Sequence, residues 1–281
     1  KRRALTLTGN EQMLLGRRHR YFVSSLTLLF CFLFCSYLKG TDGFQLATNN
    51  SRHYGKQTST KTRMSAAAAN AVSTTARRAV GKLKADNTMF LLCDIQERFI
   101  KSNLVWRGDT IVRTAQYMTS VAKALSVPVV VTQQYTKVFG PTVPECFADP
   151  EDLTKVPIFE KKNFSMCTDE CQQHMDTLGK SSVVLFGIEA HVCVQQTCLD
   201  MLEQGKEVHI IVDGVSSQQP YDREIALQRM SQAGAFLTTA QSAAFMLMKS
   251  ADHENFKTVS KLTVEHMKLP NEFNDGYNAK L

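Results

Sequence analysis

From Thr88 onward, short apolar runs alternate with longer segments whose apolar residues recur at helical spacing. TMFLLCDIQERF opens as an unbroken apolar run, as expected of a strand covered on both faces. Residues 109–125 follow a helical period, and VPVVVTQQY (127–135) is rich in β-branched residues and predicts a second strand. A loop containing Pro and Gly spans 136–155, and KVPIFEK (155–161) predicts a short third strand. TDECQQHMDTLGK (168–180) predicts a helix, with Thr168 as N-cap and Asp169 and Glu170 in its first turn. SSVVLFGIE (181–189) is a fourth strand, and HVCVQQTCLDMLEQG (191–205) a helix closed by Gly205. EVHIIVDGVSS (207–217), DREIALQRMSQAG (222–234) and AFLTTAQ (235–241) predict strand, helix and strand, the last leading into a final helix. This alternation predicts an α/β fold, a three-layer α/β/α sandwich around a mainly parallel six-stranded sheet of Rossmann-like type. In open sheets of this kind the site lies at the carboxyl ends of the strands.

Upstream of this body the texture is different. Arg17, Arg18 and Arg20 precede an apolar run from Tyr21 to Leu38 that contains LTLLFCFLFC. A basic stretch followed by such a run has the form of a signal peptide, and its length of about 18 residues also suits a membrane anchor. Residues 44–85 contain no Asp or Glu and are rich in Ser, Thr, Ala, Lys and Arg, the composition of a transit peptide. The expected organisation is a targeting leader over 1–85 (signal-like over 1–43, transit-like over 44–85), a folded body over 86–250 and a tail over 251–281 that packs on a neighbour. The leader resembles the bipartite leaders of algae with complex plastids, which implies an organellar address. A mitochondrial address, a single signal anchor, a start at Met13, and a cytoplasmic protein started at Met64 stay open as alternatives.

The net charge of +7 is unevenly placed. Residues 1–85 hold 15 Lys/Arg against 2 Asp/Glu, whereas residues 86–281 hold 18 against 24. The folded body is therefore mildly acidic, which argues against nucleic acid as a partner, because such binding rests on neutralising phosphates. A soluble body acting on a small molecule is expected. The chain has 8 cysteines, and the six beyond the leader lie in apolar or helical surroundings, so free thiols are expected. Cys167, Cys171 and His174 have a metal-like spacing, but a structural zinc takes four ligands and no fourth is evident. No metal and no cofactor are expected: the chain has no phosphate-binding or dinucleotide-binding glycine motif.

The predicted strand ends carry the candidate chemistry. Asp94 ends the first strand, Lys161 the third, and the fourth runs through Gly187 into the helix that holds Cys193. An acid, an amine and a thiol at one rim would form a nucleophilic set. These residues also carry a resemblance. FLLCDIQERF, FEKKNFSM and GIEAHVCVQQTCLDMLEQGKEVHIIVDGVSS resemble, in order, the acid, lysine and nucleophile motifs of the isochorismatase-like cysteine hydrolases. VTQQYTKVFGPTVPE resembles the isochorismatase-domain branch, whose substrates are poorly defined.

The resemblance implies Asp94 as base, Lys161 as its cation and Cys193 as nucleophile, with Lys162 the alternative if the register slips by one. It also implies a cis peptide joining Ile188 and Glu189, an oxyanion-binding turn around Ile188, Glu189 and Cys193, and a homo-oligomer. The cysteine favours cleavage of a C–N bond in a small amide through a thioester over vinyl-ether cleavage. Gln96, Phe99, Tyr135 and Phe164 lie just past the predicted strand ends and are candidates to line a partly apolar pocket, with loop 136–155 as its lid. His191 is a weaker partner for Cys193, because residues two apart on a helix point in different directions. A non-catalytic binding or scaffold protein on the same fold is the rival from another class, and a redox role for Cys193 is a third alternative.

Overall fold

The computed structural model describes residues 80–274, and the leader readings placed on residues 1–79 lie outside them. Six strands form one sheet: β1 (Thr88–Cys93), β2 (Val129–Gln134), β3 (Ile158–Lys161), β4 (Ser182–Ile188), β5 (Glu207–Ser216) and β6 (Phe236–Thr238). Their order is β3-β2-β1-β4-β5-β6. Every neighbouring pair is parallel, so the sheet expected to be mainly parallel is wholly so. The α-helices of five or more residues are α1 (Glu97–Lys101), α2 (Gly108–Ala124), α3 (Asp169–Leu178), α4 (Gln195–Glu203), α5 (Pro220–Gln232), α6 (Ala240–Met248) and α7 (Phe256–Met267). Among the described residues, no helix is long and apolar enough to cross a membrane.

The central strands explain their own composition. All residues of β1 and β4 are buried, so both read as apolar runs and not as alternations. Phe90 of β1 meets Phe186 of β4 edge to face at 6.1 Å, and each such buried side chain contributes roughly 1.5–3 kcal/mol. α4 closes as its sequence suggests: Gly205 takes φ +76° and its N–H reaches the Leu202 carbonyl at 2.9 Å.

Two segments pack on the body itself. Residues 251–274 are the first. α7 lies along α2, with Val259 and Thr263 buried, Tyr117 Oη 2.8 Å from Thr263 Oγ1, and the His266 ring stacked on Tyr117 at 4.6 Å. Loop 136–155 is also no free lid. Val143, Cys146 and Phe147 are buried, Thr119 donates to the Cys146 carbonyl at 2.7 Å, and Asp152 pairs with Lys123 and Lys155.

Candidate active site

The sheet order brings three strand ends to one rim. β1 is central, β2 and β3 lie to one side, and β4 to the other. The residue after β1 is Asp94, 2% exposed and in the left-handed region at φ +53°, which Asp tolerates better than most residues. Its carboxylate is held at both oxygens: Thr132 Oγ1 donates to Oδ1 at 2.8 Å, and Lys161 Nζ donates to Oδ2 at 2.6 Å. Lys161 is the last residue of β3, and its side chain is fully buried. Its ammonium also donates to Gln134 Oε1 at 2.7 Å and to the carbonyls of Phe164 at 2.8 Å and Asn163 at 3.2 Å. Burial by itself lowers the affinity of Lys161 for its proton, but the charge of Asp94 and its hydrogen bond outweigh it, and the net shift is upward. Lys162, by contrast, is exposed, with its ammonium 5.6 Å from the Tyr135 ring centroid, so the buried amine is Lys161.

Cys193 reaches the same rim from the other side. β4 ends at Ile188, which pairs with Ser216. No peptide bond among the described residues is cis, so the bond between Ile188 and Glu189, expected to be cis, is trans. The chain reverses instead through positive φ values at Gly187 (+145°) and Glu189 (+56°). A side chain at Gly187 is excluded, because a Cβ there would stand 2.1 Å from the Cys93 carbonyl oxygen. The helix predicted from 191 begins as a π turn over Ala190–Val194, with the N–H groups of Val192 and Val194 both on the Glu189 carbonyl, at 2.9 and 3.3 Å. Cys193 sits in this turn and is 5% exposed. Its carbonyl accepts from Thr197 Oγ1 at 2.7 Å, and Thr197 Oγ1 accepts from the Met166 N–H at 2.9 Å, which ties the turn to the segment after Lys161.

Sequence patterning did not single out Thr132, Gln134, Thr197 or Cys93. The first two had a signal: they are two apart in a β-branched run, so they face the same side of β2. Thr197 had one as well, four residues after Cys193 and hence one helical turn on. Cys93 had none, being one more apolar letter in a buried strand. Its Sγ donates to Asp94 Oδ2 at 3.6 Å. Burial pushes this thiol well above its ordinary range, helped by the neighbouring Cys193 and by the charge of Asp94.

The four residues proposed to line a pocket divide into two pairs. Gln96 is fully buried, and its amide is spent on backbone: Nε2 donates to the carbonyls of Gln134 (3.0 Å) and Gly140 (2.6 Å), and Oε1 accepts the Gln134 N–H at 2.7 Å. It fastens the strand end to loop 136–155 and has no donor left for a substrate. Phe99 is 3% exposed and stacked on Phe139 at 4.8 Å, so it too is packing. Tyr135 is half-buried and Phe164 is 36% exposed, and these two flank Lys161 at the rim. Of the metal-like trio, Cys171 is buried and the His174 ring lies 5.5 Å from that of Phe159. Among the described residues, no group of three or more His, Cys, Asp or Glu is arranged to hold a metal.

His191 does not pair with Cys193. Its Nδ1 lies 3.0 Å from Ser217 Oγ and 3.4 Å from Glu189 Oε2, and its Nε2 is 3.8 Å from Asp222. Burial lowers the His191 value and raises that of Glu189 to about 7, against the hydrogen bond from Gln218 and with help from the Asp222 charge. The two are therefore not a full ion pair near neutrality. Because the folded state holds the Glu189 proton more tightly than the unfolded chain, its stability contribution is complete below about 4.5 and lost as pH rises through about 7. Glu189→Gln is expected to remove that decline, on the order of 2–3 kcal/mol. The check is the parent-minus-variant difference in urea unfolding free energy from pH 4.5 to 8. A difference that does not change with pH would show that Glu189 titrates normally. Taking the difference matters, because His191 and His209, both lowered by burial, add a trend of opposite sign.

The folded body is similar to known proteins over most of its length. The profile of the Isochorismatase domain matches residues 88–242. The secreted isochorismatase effector Isc1 of Phytophthora sojae is 42% identical over 203 residues, covering 72% of this chain and 96% of that protein. Isochorismatase domain-containing protein 2 of Xenopus laevis is 42% identical over 189 residues, covering 67% and 89%. A solved structure described as MAR1 ribonuclease from Caenorhabditis elegans superposes with a TM-score of 0.60 at 39% identity, covering 65% of this chain and 92% of that one.

Proposed function

The chain belongs to the isochorismatase domain family, and from that premise we propose that it is a hydrolase that cleaves a C–N bond of a small amide or related compound through a thioester on Cys193. The observation that carries this reading is the buried Lys161–Asp94 pair at 2.6 Å at the ends of β3 and β1, with the nearly buried Cys193 in the turn that follows the neighbouring β4. A buried charge pair is costly to build and is not needed to stabilise a sheet, so its place at the strand ends points to chemistry.

In the proposed mechanism Asp94 takes the thiol proton and Cys193 Sγ attacks the carbonyl carbon. Lys161 keeps Asp94 oriented and compensates its charge. Backbone N–H groups of the Glu189–Cys193 turn, that of Cys193 among them, steady the oxyanion. Asp94 returns the proton to the departing nitrogen, ammonia or an amine leaves, and a thioester remains. Water, deprotonated by Asp94, then attacks the thioester, and the thiol is restored. Tyr135 and Phe164 would form the apolar wall of the pocket.

The test is release of ammonia or amine by the purified protein from a panel of small amides, ureides and carbamoyl compounds, with RNA as a separate arm. Turnover of one small compound and none of RNA is expected. Turnover of RNA alone would overturn the amide reading in favour of the activity by which the nematode relative is described. The charge balance of residues 86–281, 18 Lys/Arg against 24 Asp/Glu, supports the small-molecule arm.

A further inference from the structure

Asp94 Oδ2 accepts from two side chains: the Lys161 ammonium at 2.6 Å and the Cys93 thiol at 3.6 Å. Cys93 is the last residue of β1 and is wholly buried. The β1–β4 register sets it opposite Gly187, and a Cβ on Gly187 would be only 2.8 Å from that of Cys93. The Cys93 thiol is thus pressed against the turn that delivers Cys193, with Asp94 next to it in the chain. Its thiol donates to Asp94, the Cys193 thiol is a near neighbour that raises its affinity for the proton, and burial keeps it in the thiol form, able to donate.

We propose that Cys93 is a positioning residue for the nucleophile: its thiol bridges Asp94 and Cys193 and donates the hydrogen bond that steadies the Cys193 thiolate. A donor to a charged acceptor in a site closed to water is worth more than one in solution. When Cys193 carries its proton, the Cys93 S–H points to Asp94. When Cys193 is ionised and Asp94 has taken the proton, the same S–H turns to the new anion. Removing the donor therefore makes the thiolate harder to form without touching the base or the nucleophile. The proposal rests on Cys193 being the nucleophile.

The experiment is the pH dependence of iodoacetamide alkylation at Cys193, followed by peptide mass in the full protein, for the parent, Cys93→Ala, Cys93→Val and Cys93→Ser. The two variants without a donor are expected to move the alkylation midpoint upward by about one pH unit, a tenfold drop in reactive thiolate below the midpoint. Cys93→Ser, which keeps an O–H in place of the S–H, is expected to stay close to the parent. Ala and Val bracket the volume of the thiol, so at least one of them reports from a folded protein, with near-ultraviolet circular dichroism as the check. Superimposable profiles for the parent and a folded donor-free variant would overturn the proposal. Serine shifting as far as alanine would do the same, since only the packing would then matter. A parent Cys193 that is not alkylated at any pH would instead bring down the nucleophile reading, and this proposal with it.

Discussion

Cys193→Ala will bring amine release down to the uncatalysed background, a loss of at least about ten-thousandfold in turnover, with the substrate still bound. The size of the effect follows from covalent catalysis. Asp94 and Lys161 survive the substitution, but neither replaces a thiolate as the atom that bonds to the carbonyl carbon. Folding should hardly notice. Cys193 is small, 5% exposed and in a turn pinned through its backbone by Thr197, so the loss of one sulfur costs about 1 kcal/mol. Turnover and urea unfolding measured on the same preparation separate the two effects. If the variant kept its activity, the reaction would run through Asp94 without a thiol, the route expected of vinyl-ether cleavage, and the thioester would be abandoned.

Lys161→Met is the change that should cost most in stability. The side-chain exposures of the pair are 0% for Lys161 and 2% for Asp94, so no water can take over the carboxylate when the ammonium goes. Breaking a buried pair from one side costs about 3–5 kcal/mol, whereas removing both charges costs much less. Lys161 also closes four contacts at once, to Asp94, Gln134, Asn163 and Phe164. The expected result is a loss of about 3–5 kcal/mol in urea unfolding for Lys161→Met, partly recovered in Lys161→Met with Asp94→Asn. A single variant within about 1 kcal/mol of the parent would mean that Asp94 is neutral in the folded protein, so that Lys161 does not hold a carboxylate. Lys162→Met is the control, because its exposed ammonium lies over Tyr135 and leaves the carboxylate untouched.

The fold was legible because burial on both faces writes itself into composition. β1 and β4 could be placed to within a residue or two from their unbroken apolar runs, and the strand-end rule then pointed to Asp94, Lys161 and Cys193. What sequence hid was whatever depended on direction. Gln96 and Phe99 follow a strand end as a pocket residue would, yet α1 turns both inward, one onto backbone and one onto Phe139. The turn before Cys193 reads as a helix start, but Gly187 and Glu189 at positive φ and the π turn after them set its shape, and none of these has a distinctive letter pattern. The amphipathic stripe of α7 does not say which surface it covers, and in the structure it lies on α2 of the same chain. Cys93 was invisible for the opposite reason. A cysteine in an apolar strand is usually filler, and only the structure shows that this one lies opposite Gly187 and donates to Asp94.

The decisive measurement is intact-protein and peptide mass spectrometry after millisecond acid quench of the purified protein with whichever amide of the panel proves to be a substrate. The covalent mechanism predicts an acyl adduct, with the mass of the substrate less its amine, on the peptide containing Cys193, formed in a burst and lost with hydroxylamine. It also predicts no such adduct in Cys193→Ala. Steady turnover with no adduct on Cys193 at any quench time, or an adduct on Cys93 in its place, would contradict the assignment of Cys193 as nucleophile.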